Sequence, residues 1–253
     1  MNYCGNLYIV LFEPDDMVLL KNGPSNRRRF LDVMISQLKK NYLFSLNQYM
    51  KILEQRNNYL RQIKYENKPE EMLEIWDESL SEYGYIVWKY RNEFIEKIKE
   101  KVNYFHMQMT GQKEKITIEY NSTCSAKQKY LNVLKKNRKI DIIKGYTING
   151  IHRDDFSIQI NGRPVNVYGS QGQQRTTIIS LKLSELEIIN EEVGEQPILL
   201  LDDFMSELDD KRISNFLENI KDNQIIITCT NQLKLEKTKG SFYKVENGKI
   251  YIT

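Results

Sequence analysis

The strongest constraint in this sequence is a pair of long runs of apolar side chains between residues 25 and 110, at spacings that mostly alternate between three and four residues. Such spacing draws one narrow apolar stripe along a helix, which is typical of helices that pair along a coiled-coil seam. A short polar segment, KYENKPEE at 64–71, separates the two runs. We therefore predict an antiparallel hairpin of two helices of about forty residues each, which projects from the rest of the chain; two helices of an ordinary bundle are the alternative. The stripes consist of Leu31, Ile35, Leu38, Tyr42, Leu46, Tyr49, Leu53 and Leu60, and then of Trp76, Leu80, Tyr83, Val87, Tyr90, Phe94, Ile98, Val102, Phe105 and Met109.

On either side of these runs the sequence alternates apolar strands with helical patterns. The segment PILLL (197–201) is apolar throughout and lies between helical patterns at about 171–193 and 209–220. Alternation of helices with fully apolar strands is the pattern of a parallel α/β sheet. Further strands are predicted at 7–12, 115–123 and 224–230, with a terminal strand pair within 242–253, a basic helix near 127–145, and short strands around the turn dipeptides Asn149-Gly150 and Asn161-Gly162.

These patterns place the chain in the α/β class, with a helical insertion in a strand-containing lobe. Residues 1–24 are predicted to supply a strand and turn to the lobe formed by 141–253. Residues 25–140 are predicted to form a helical arm that holds the hairpin, the strand near 115–122 and the basic helix. The 253 residues are 40% hydrophobic and 28% charged, which favours a folded globular protein over disorder.

Composition also limits the compartment and the kind of site. No apolar run reaches the roughly 18 residues needed to cross a bilayer, so no membrane association is expected. The three cysteines are far apart and fit neither a metal-ligand spacing nor a disulfide framework. Unpaired thiols suit a reducing compartment, and we expect a cytoplasmic protein. The formal net charge of +3 is too small to indicate nucleic-acid binding by itself.

The apolar strand at 197–201 ends in two aspartates, which suggests a site. Open α/β sheets bind their ligands at the carboxyl ends of the strands. Asp202 is predicted to hold Mg²⁺ there, because hard cations prefer oxygen ligands. Asp203, one residue further, would point elsewhere and could accept a proton from an attacking water. The alternative is a strand that merely ends in polar residues.

A second candidate is the stretch GSQGQQR at 169–175, directly ahead of the helical pattern. Small residues before a helix allow backbone N–H groups to approach an anion, and the helix N-terminus adds its positive end. Ser170 and the three glutamines would add neutral donors, and Arg175 a fixed charge. The alternative is a tight turn that simply needs glycine.

Three motifs in this order, IHRDDFSIQING (151–162), GSQGQQRTTIISLKLSE (169–185) and PILLLDDFMSELD (197–209), closely resemble the RecF family, DNA-repair ATPases of the ABC/SMC-like class. The opening residues are also similar, so the resemblance covers essentially the whole chain. It implies part of an ABC-type ATPase head with a helical hairpin inserted, and ATP and Mg²⁺ as cofactors. The implied signature loop is Ser170, Gln171, Gly172, Gln173 and Gln174, the Walker B strand ends in Asp202 and Asp203, and the D-loop contains Ser206 and Asp209.

The resemblance also explains why so many donors precede one helix. In this class two subunits enclose two nucleotides, and the signature loop of one subunit caps the γ-phosphate held by the other. Ser170 and the glutamines would then serve a phosphate that their own chain does not hold. ATP would join a homodimer, with Ser206 and Asp209 at its seam.

One departure from the family is large. The phosphate-binding pattern G-x-x-x-x-G-K-[ST] is absent from the sequence, and NGKI at 247–250 does not match it. In the family this motif lies in an N-terminal lobe, before the region that this sequence matches. We therefore expect a fragment that is inactive as an ATPase alone. A smaller departure is Ile151, where the family usually has proline.

Two clusters of cations are candidates for DNA phosphates. One lies at the start of the first long helix and the other on the basic helix. The alternative for each is a solvated helix surface. The residues are Arg27, Arg28 and Arg29, and Lys135, Lys136 and Arg138, with Lys139 beside them.

The run His152-Arg153-Asp154-Asp155 is predicted to be a corner of ion pairs that supports the lobe rather than a catalytic group. The resemblance implies an ATP-dependent DNA repair and replication protein that dimerises on gapped DNA or stalled forks after DNA damage. It would assist recombinase loading with RecO- and RecR-type partners. The alternative is a non-catalytic interaction module, a helical hairpin on an inactive α/β lobe.

Overall fold

The computed structural model describes residues 7–203, 210–229 and 240–252. None of the helices within these ranges is long and apolar enough to cross a membrane. The helices are α1 (Val18–Lys21), α2 (Pro24–Leu38), α3 (Lys40–Glu66), α4 (Leu73–Thr110), α5 (Lys127–Lys144), α6 (Val165–Tyr168), α7 (Gln171–Val193) and α8 (Asp210–Asn219). The strands are β1 (Ile9–Phe12), β2 (Ile116–Asn121), β3 (Asp155–Ile160), β4 (Arg163–Pro164), β5 (Ile198–Asp202), β6 (Ile225–Thr228), β7 (Tyr243–Glu246) and β8 (Lys249–Ile252).

A parallel sheet of three strands, in the order β1–β5–β6, forms the centre of the lobe. Val10 of β1 lies opposite Leu199 of β5, and Leu201 lies opposite Ile227 of β6. The fully apolar β5 is therefore the middle strand, as its composition predicts. The predicted parallel α/β sheet is confirmed, and the first strand of the chain pairs with a strand almost 190 residues later.

One face of this sheet packs on α7 and α8. Val10, Phe12 and Leu201 are buried there, and the ring of Phe12 meets that of Phe216 edge to face at 5.1 Å. The predicted helix at 171–193 is confirmed as α7. Because α7 is buried along most of its length, its amino end is held in a fixed position relative to the sheet.

Helices α3 and α4 form the predicted hairpin. Ring contacts run in opposite chain directions along the seam, from Tyr42–Tyr90 at 5.8 Å to Tyr59–Trp76 at 4.7 Å. This order shows that the helices are antiparallel. The buried seam residues, Tyr42, Tyr49, Leu53, Leu60, Leu80, Val87, Phe94, Ile98 and Val102, make the aromatic positions packing residues rather than base-stacking platforms.

The first long helix is not continuous, contrary to the prediction. Lys39 is extended, with φ −128° and ψ 96°, and separates α2 from α3. Its side chain pairs with Glu192 near the end of α7 at 2.5 Å. The break lets α2 pack on α7 and β3 while α3 follows α4. The break accompanies packing of α2 against elements more than 100 residues away in the chain, so the local helical pattern does not reveal it.

Helix α4 serves both the hairpin and the lobe. Its middle residues, such as Phe94, pack within the helical arm, whereas Phe105 and Met109 join the core beneath the parallel sheet. Helix α4 also packs along α7. The prediction of a hairpin that projects over its whole length is therefore wrong for the last turns of α4.

A small antiparallel sheet, β2–β3–β4, packs beside α4. The turn Asn161-Gly162 joins β3 to β4 with both residues at positive φ, as predicted for a tight hairpin. The dipeptide Asn149-Gly150 does not join two strands. Gly150, at φ 141°, leads instead into a single turn of 3-10 helix at Ile151–Arg153, because the chain must pass close to two buried tyrosines there.

Candidate functional site

Ser170 caps the amino end of α7. Its hydroxyl oxygen accepts a hydrogen bond from the backbone N–H of Gln173 at 3.3 Å, and the side-chain oxygen of Gln173 accepts one from the N–H of Ser170 at 2.9 Å. This reciprocal pair is a capping box, which fixes the first turn of the helix. Ser170 and Gln171 are both exposed, so this turn faces outward.

The other two glutamines of the predicted signature loop differ in orientation. The side-chain nitrogen of Gln174 donates to the carbonyl oxygens of Val165 and Gly169, at 3.3 and 3.1 Å, and the residue is buried. The side-chain nitrogen of Gln173 donates to Glu114 at 2.8 Å. Both side chains therefore hold the loop in shape.

The groups of the loop that remain for a ligand are consequently the Ser170 hydroxyl, the Gln171 side chain and the backbone N–H groups of Gln171 and Gly172, which have no partner within a helix. Gly172 keeps the surface beside them small. The amino end of a helix also carries partial positive charge, which favours an anion. The roles of the five loop residues toward a phosphate stay predictions.

A cleft of about 310 Å³ opens beside this turn. It separates the start of α7 from the segment that follows β1. Two cationic side chains, Lys21 and Arg175, line it together with Asp15. The lining residues are Pro14, Asp15, Met17, Val18, Lys21, Asn22, Gln171 and Arg175.

Asp202 and Asp203 lie at the carboxyl end of β5, as predicted, next to the end of β6. The hydroxyl of Thr228 donates to Asp202 at 2.5 Å. The backbone N–H of Asp203 donates to the carbonyl and hydroxyl oxygens of Thr228, at 3.1 and 3.2 Å. Asp203 has φ 42°, so the chain turns sharply and the two carboxylates leave the strand in different directions.

This donor set fits Mg²⁺. It consists of oxygen atoms, and the Asp202 side chain is exposed at the sheet edge. Within the described ranges no group of three or more acidic, histidine or cysteine side chains could enclose a metal ion. A site of this kind suits Mg²⁺ held by one or two carboxylates together with phosphate and water oxygens. The predicted D-loop residues Ser206 and Asp209 lie outside the described residues.

The predicted DNA-contact cations fall into two groups. Arg27 makes a two-pronged pair with Asp155, at 2.6 and 3.0 Å, and Arg28 donates to the carbonyl of Asp154 at 2.8 Å. Arg138 is held by Glu74 and Asp77, both at 2.7 Å.

Lys135, on α5, also pairs with Glu74, on α4. Arg29, Lys136 and Lys139 are exposed. Arg27, Arg28 and Arg138 therefore hold elements together, while exposed lysines and Arg29 form the more accessible charge. Sequence patterns could not separate these groups, since the acidic partners are 61 to 128 residues distant.

The run at 152–155 forms the predicted corner. Asp155 pairs with Arg27, and Asp154 accepts from Tyr120 at 2.5 Å and lies 3.6 Å from the buried Arg91. His152 sits between a carbonyl and a tyrosine hydroxyl. Burial is the largest cause that lowers the pKa of His152 to about 4, and the nearby arginines contribute in the same direction. This histidine is therefore a neutral structural group at pH 7.

Glu114 and His106 belong to the site although no sequence pattern indicated them. Glu114 precedes β2 and lies 59 residues before Gln173, which it contacts. His106 is on α4 and completely buried. In the sequence, the sole hint of His106 was that a polar residue stands near the end of the second apolar stripe.

No family model matches the chain. The DNA replication and repair protein RecF of Acetivibrio thermocellus is 40% identical over 262 residues, which cover 99% of this chain and 71% of that protein. RecF of Caldanaerobacter subterraneus subsp. tengcongensis is 44% identical over 241 residues, covering 92% of this chain and 66% of the relative.

Solved structures give the same result. The recombination mediator protein RecF with ATP, from the RecFOR pathway, superposes with a TM-score of 0.90 at 41% identity, over 100% of this chain and 69% of that one. The Smc head domain from Pyrococcus furiosus, with an extended coiled coil and bound to the C-terminal domain of ScpA, has a TM-score of 0.50 at 14% identity and shows likeness of fold alone. The fold is that of an ABC-type ATPase head. Because relatives with 40–45% identity match nearly all of its length, the chain belongs to the RecF family of DNA replication and repair proteins.

Proposed function

We propose that this chain acts in DNA repair as part of an ATP-dependent, DNA-binding homodimer, in which the amino end of α7 caps a nucleotide held by the other subunit. The observation that carries the proposal is the exposed turn at Ser170, where the capping box fixes the amino end of α7 and leaves the backbone N–H groups of Gln171 and Gly172 without an intrahelical partner. Relatives of this family have been solved with ATP. No segment of the sequence matches the P-loop pattern G-x-x-x-x-G-K-[ST].

Hydrolysis is assigned to the carboxyl end of β5. Asp202 would hold Mg²⁺, which when bound offsets charge on the phosphates. Asp203 would accept the proton of the attacking water. Thr228 holds the Asp202 carboxylate in place through its hydroxyl. Ser206 and Asp209 are proposed to meet the partner subunit.

DNA is proposed to contact the exposed cations Arg29, Lys136 and Lys139, with weaker contributions from the paired Lys135. Phosphate contacts of this kind make binding sensitive to salt. Gapped or stalled-fork DNA, recombinase loading and RecO- and RecR-type partners complete the proposal. They rest on membership of the family.

A fusion protein tests the catalytic part. It places before residue 1 the N-terminal segment of the Acetivibrio thermocellus relative, which is expected to carry the family's P-loop. Asp203→Asn should leave ATP binding within about twofold of wild type and lower turnover by about 100-fold or more, since a neutral amide is no base. Asp222→Asn, an exposed change of the same kind, is the control.

Binding is followed by calorimetry and turnover by phosphate release. Equal turnover in wild type and the Asp203 variant would remove the assignment. A wild-type fusion protein that binds no ATP would instead favour the non-catalytic interaction module.

A further inference from the structure

A polar chain of contacts links the end of α4 to the loop at the start of α7. One carboxylate oxygen of Glu114 accepts from the side-chain nitrogen of Gln173 at 2.8 Å, and the other lies 3.1 Å from Nε2 of His106. Nδ1 of His106 in turn lies 3.4 Å from the hydroxyl of Ser180, which is about two turns after Gln173 on α7. His106 and Ser180 are completely buried.

Glu114 determines which way the Gln173 amide faces. A carboxylate only accepts hydrogen bonds, so it draws the NH₂ group of Gln173 toward itself. The carbonyl oxygen of the same amide must then point to the N–H of Ser170, where it completes the capping box. The reversed amide would set its NH₂ group against the N–H of Ser170, leaving two donors facing each other.

We infer that Glu114 is a positioning residue for the loop at Ser170–Gln173, and that it ties the orientation of this loop to the last turns of α4. This inference rests on the proposed function for its consequence, since the loop is the part proposed to meet a nucleotide. Its geometry does not depend on that proposal. Helix α4 runs from the hairpin turn to His106, so one rigid element joins the helical arm to the loop.

The buried side of this set of polar contacts, at His106 and Ser180, keeps Glu114 in place. The Glu114 side chain is 21% exposed, and one of its carboxylate oxygens lies against a completely buried imidazole, which limits its movement. His106 in turn lies between Glu114 and α7. A displacement of α4 along α7 would therefore move Glu114 and release the Gln173 amide.

The first experiment uses this chain and requires no nucleotide. Hydrogen exchange of the Ser170 N–H, followed by NMR, reports the capping box directly. Glu114→Ala should accelerate this exchange by about tenfold, as expected when one hydrogen bond loses its support. Glu114→Gln keeps an oxygen for Gln173 and should stay within about twofold of wild type. Glu119→Ala removes an equal charge from an exposed position in β2 and is the matched control.

The second experiment uses the fusion protein and light scattering with a non-hydrolysable ATP analogue. Glu114→Ala should raise the analogue concentration needed for half-dimerisation by about tenfold without changing binding to the monomer, and Glu114→Gln should restore it. Unchanged Ser170 exchange in Glu114→Ala would overturn the inference, whether or not the fusion protein dimerises. Faster exchange with unchanged dimerisation would overturn the positioning role, provided that Ser170→Arg abolishes dimerisation. A Gln variant as defective as the Ala variant would also contradict it.

Discussion

Two completely buried arginines hold the helical arm together at the level of single residues. Arg56 on α3 pairs with Asp77 at 2.7 Å and Asp141 at 2.8 Å. Arg91 on α4 pairs with Asp32 at 2.8 Å and donates to the carbonyl of Ile151 at 2.7 Å. Because a buried charge left alone is costly, each arginine constrains every element that supplies one of its partners.

Gly150 allows the closest approach of backbone to side chains in this region. Its φ of 141° suits glycine, and a Cβ atom there would lie 2.1 Å from the Tyr49 hydroxyl and 2.2 Å from that of Tyr130. Gly150→Ala should therefore lower the free energy of unfolding by about 3 kcal/mol or more. Gly23→Ala, with open space around it, should change it by less than about 1 kcal/mol. Urea unfolding compares the two, and an equal loss in both would contradict the packing at Gly150.

His152 should make stability depend on pH. Its Nε2 lies 3.0 Å from the carbonyl oxygen of Thr147, so Nε2 carries the proton and Nδ1 accepts from the Tyr49 hydroxyl at 2.8 Å. The folded pKa of about 4 is below the usual unfolded value of about 6.5. Between these values the unfolded chain binds more protons, so the stability contribution is complete above about pH 6.5 and is lost as the pH falls toward 4.

The matching variant is His152→Gln, which removes the titrating group. Between about pH 7 and pH 4.5, wild type should lose roughly 2–3 kcal/mol more than this variant in urea unfolding. Both proteins contain the same carboxylates, so the difference between their stabilities removes the contribution of these groups. Several of the carboxylates have a raised pKa and would change stability with pH in the sense opposite to His152. Identical pH profiles would show that folding does not shift the pKa of His152.

At the level of elements, three helices meet closely at Gly84 of α4. A Cβ atom there would lie 2.8 Å from the ring of Tyr130 on α5 and 3.2 Å from the ring of Tyr49 on α3. The absence of a side chain at this position lets α5 lie against the hairpin as a third helix. Both rings are buried and hydrogen-bonded to each other, so neither can move aside easily.

Gly84→Val should therefore destabilise the protein by about 1–3 kcal/mol through overpacking. Lys89→Val places the same side chain at an exposed position of α4 and should cost less than about 1 kcal/mol. Thermal unfolding, followed by circular dichroism, distinguishes the two variants. A stabilised Gly84 variant would mean that helix propensity outweighs packing at this crossing.

Local sequence patterns could predict the elements whose apolar spacing follows from burial against a single neighbouring element. The seam from Tyr42 to Val102 and the apolar β5 belong to this group, because burial imposes a regular spacing on each. The break at Lys39, the passage at Gly150 and the Glu114–Gln173 contact were not predictable, since each depends on a partner distant in the chain. At the site, the positions of Asp202 and Ser170 followed from motifs, whereas the inward turn of Gln174 required the packing of α6 and the loop after it.

In the whole molecule, α7 connects the parts that have to act together. It packs on the sheet that carries Asp202, on the segment after β1 and on α4. Its amino end is the exposed Ser170 turn. We therefore expect this turn to work between molecules, completing a nucleotide site on a second subunit. The sheet edge at Asp202 would serve the nucleotide of its own subunit.

Ser170→Arg in the fusion protein tests this claim most directly. The larger side chain would occupy the approach to the helix end, so ATP binding to the monomer should stay within about twofold, while analogue-induced dimerisation should be abolished. Ser241→Arg, the same change at another exposed serine, is the control and should dimerise normally. Light scattering with a non-hydrolysable ATP analogue gives the answer. A Ser170→Arg protein that dimerises as readily as wild type would contradict the account and leave the turn as a helix cap alone.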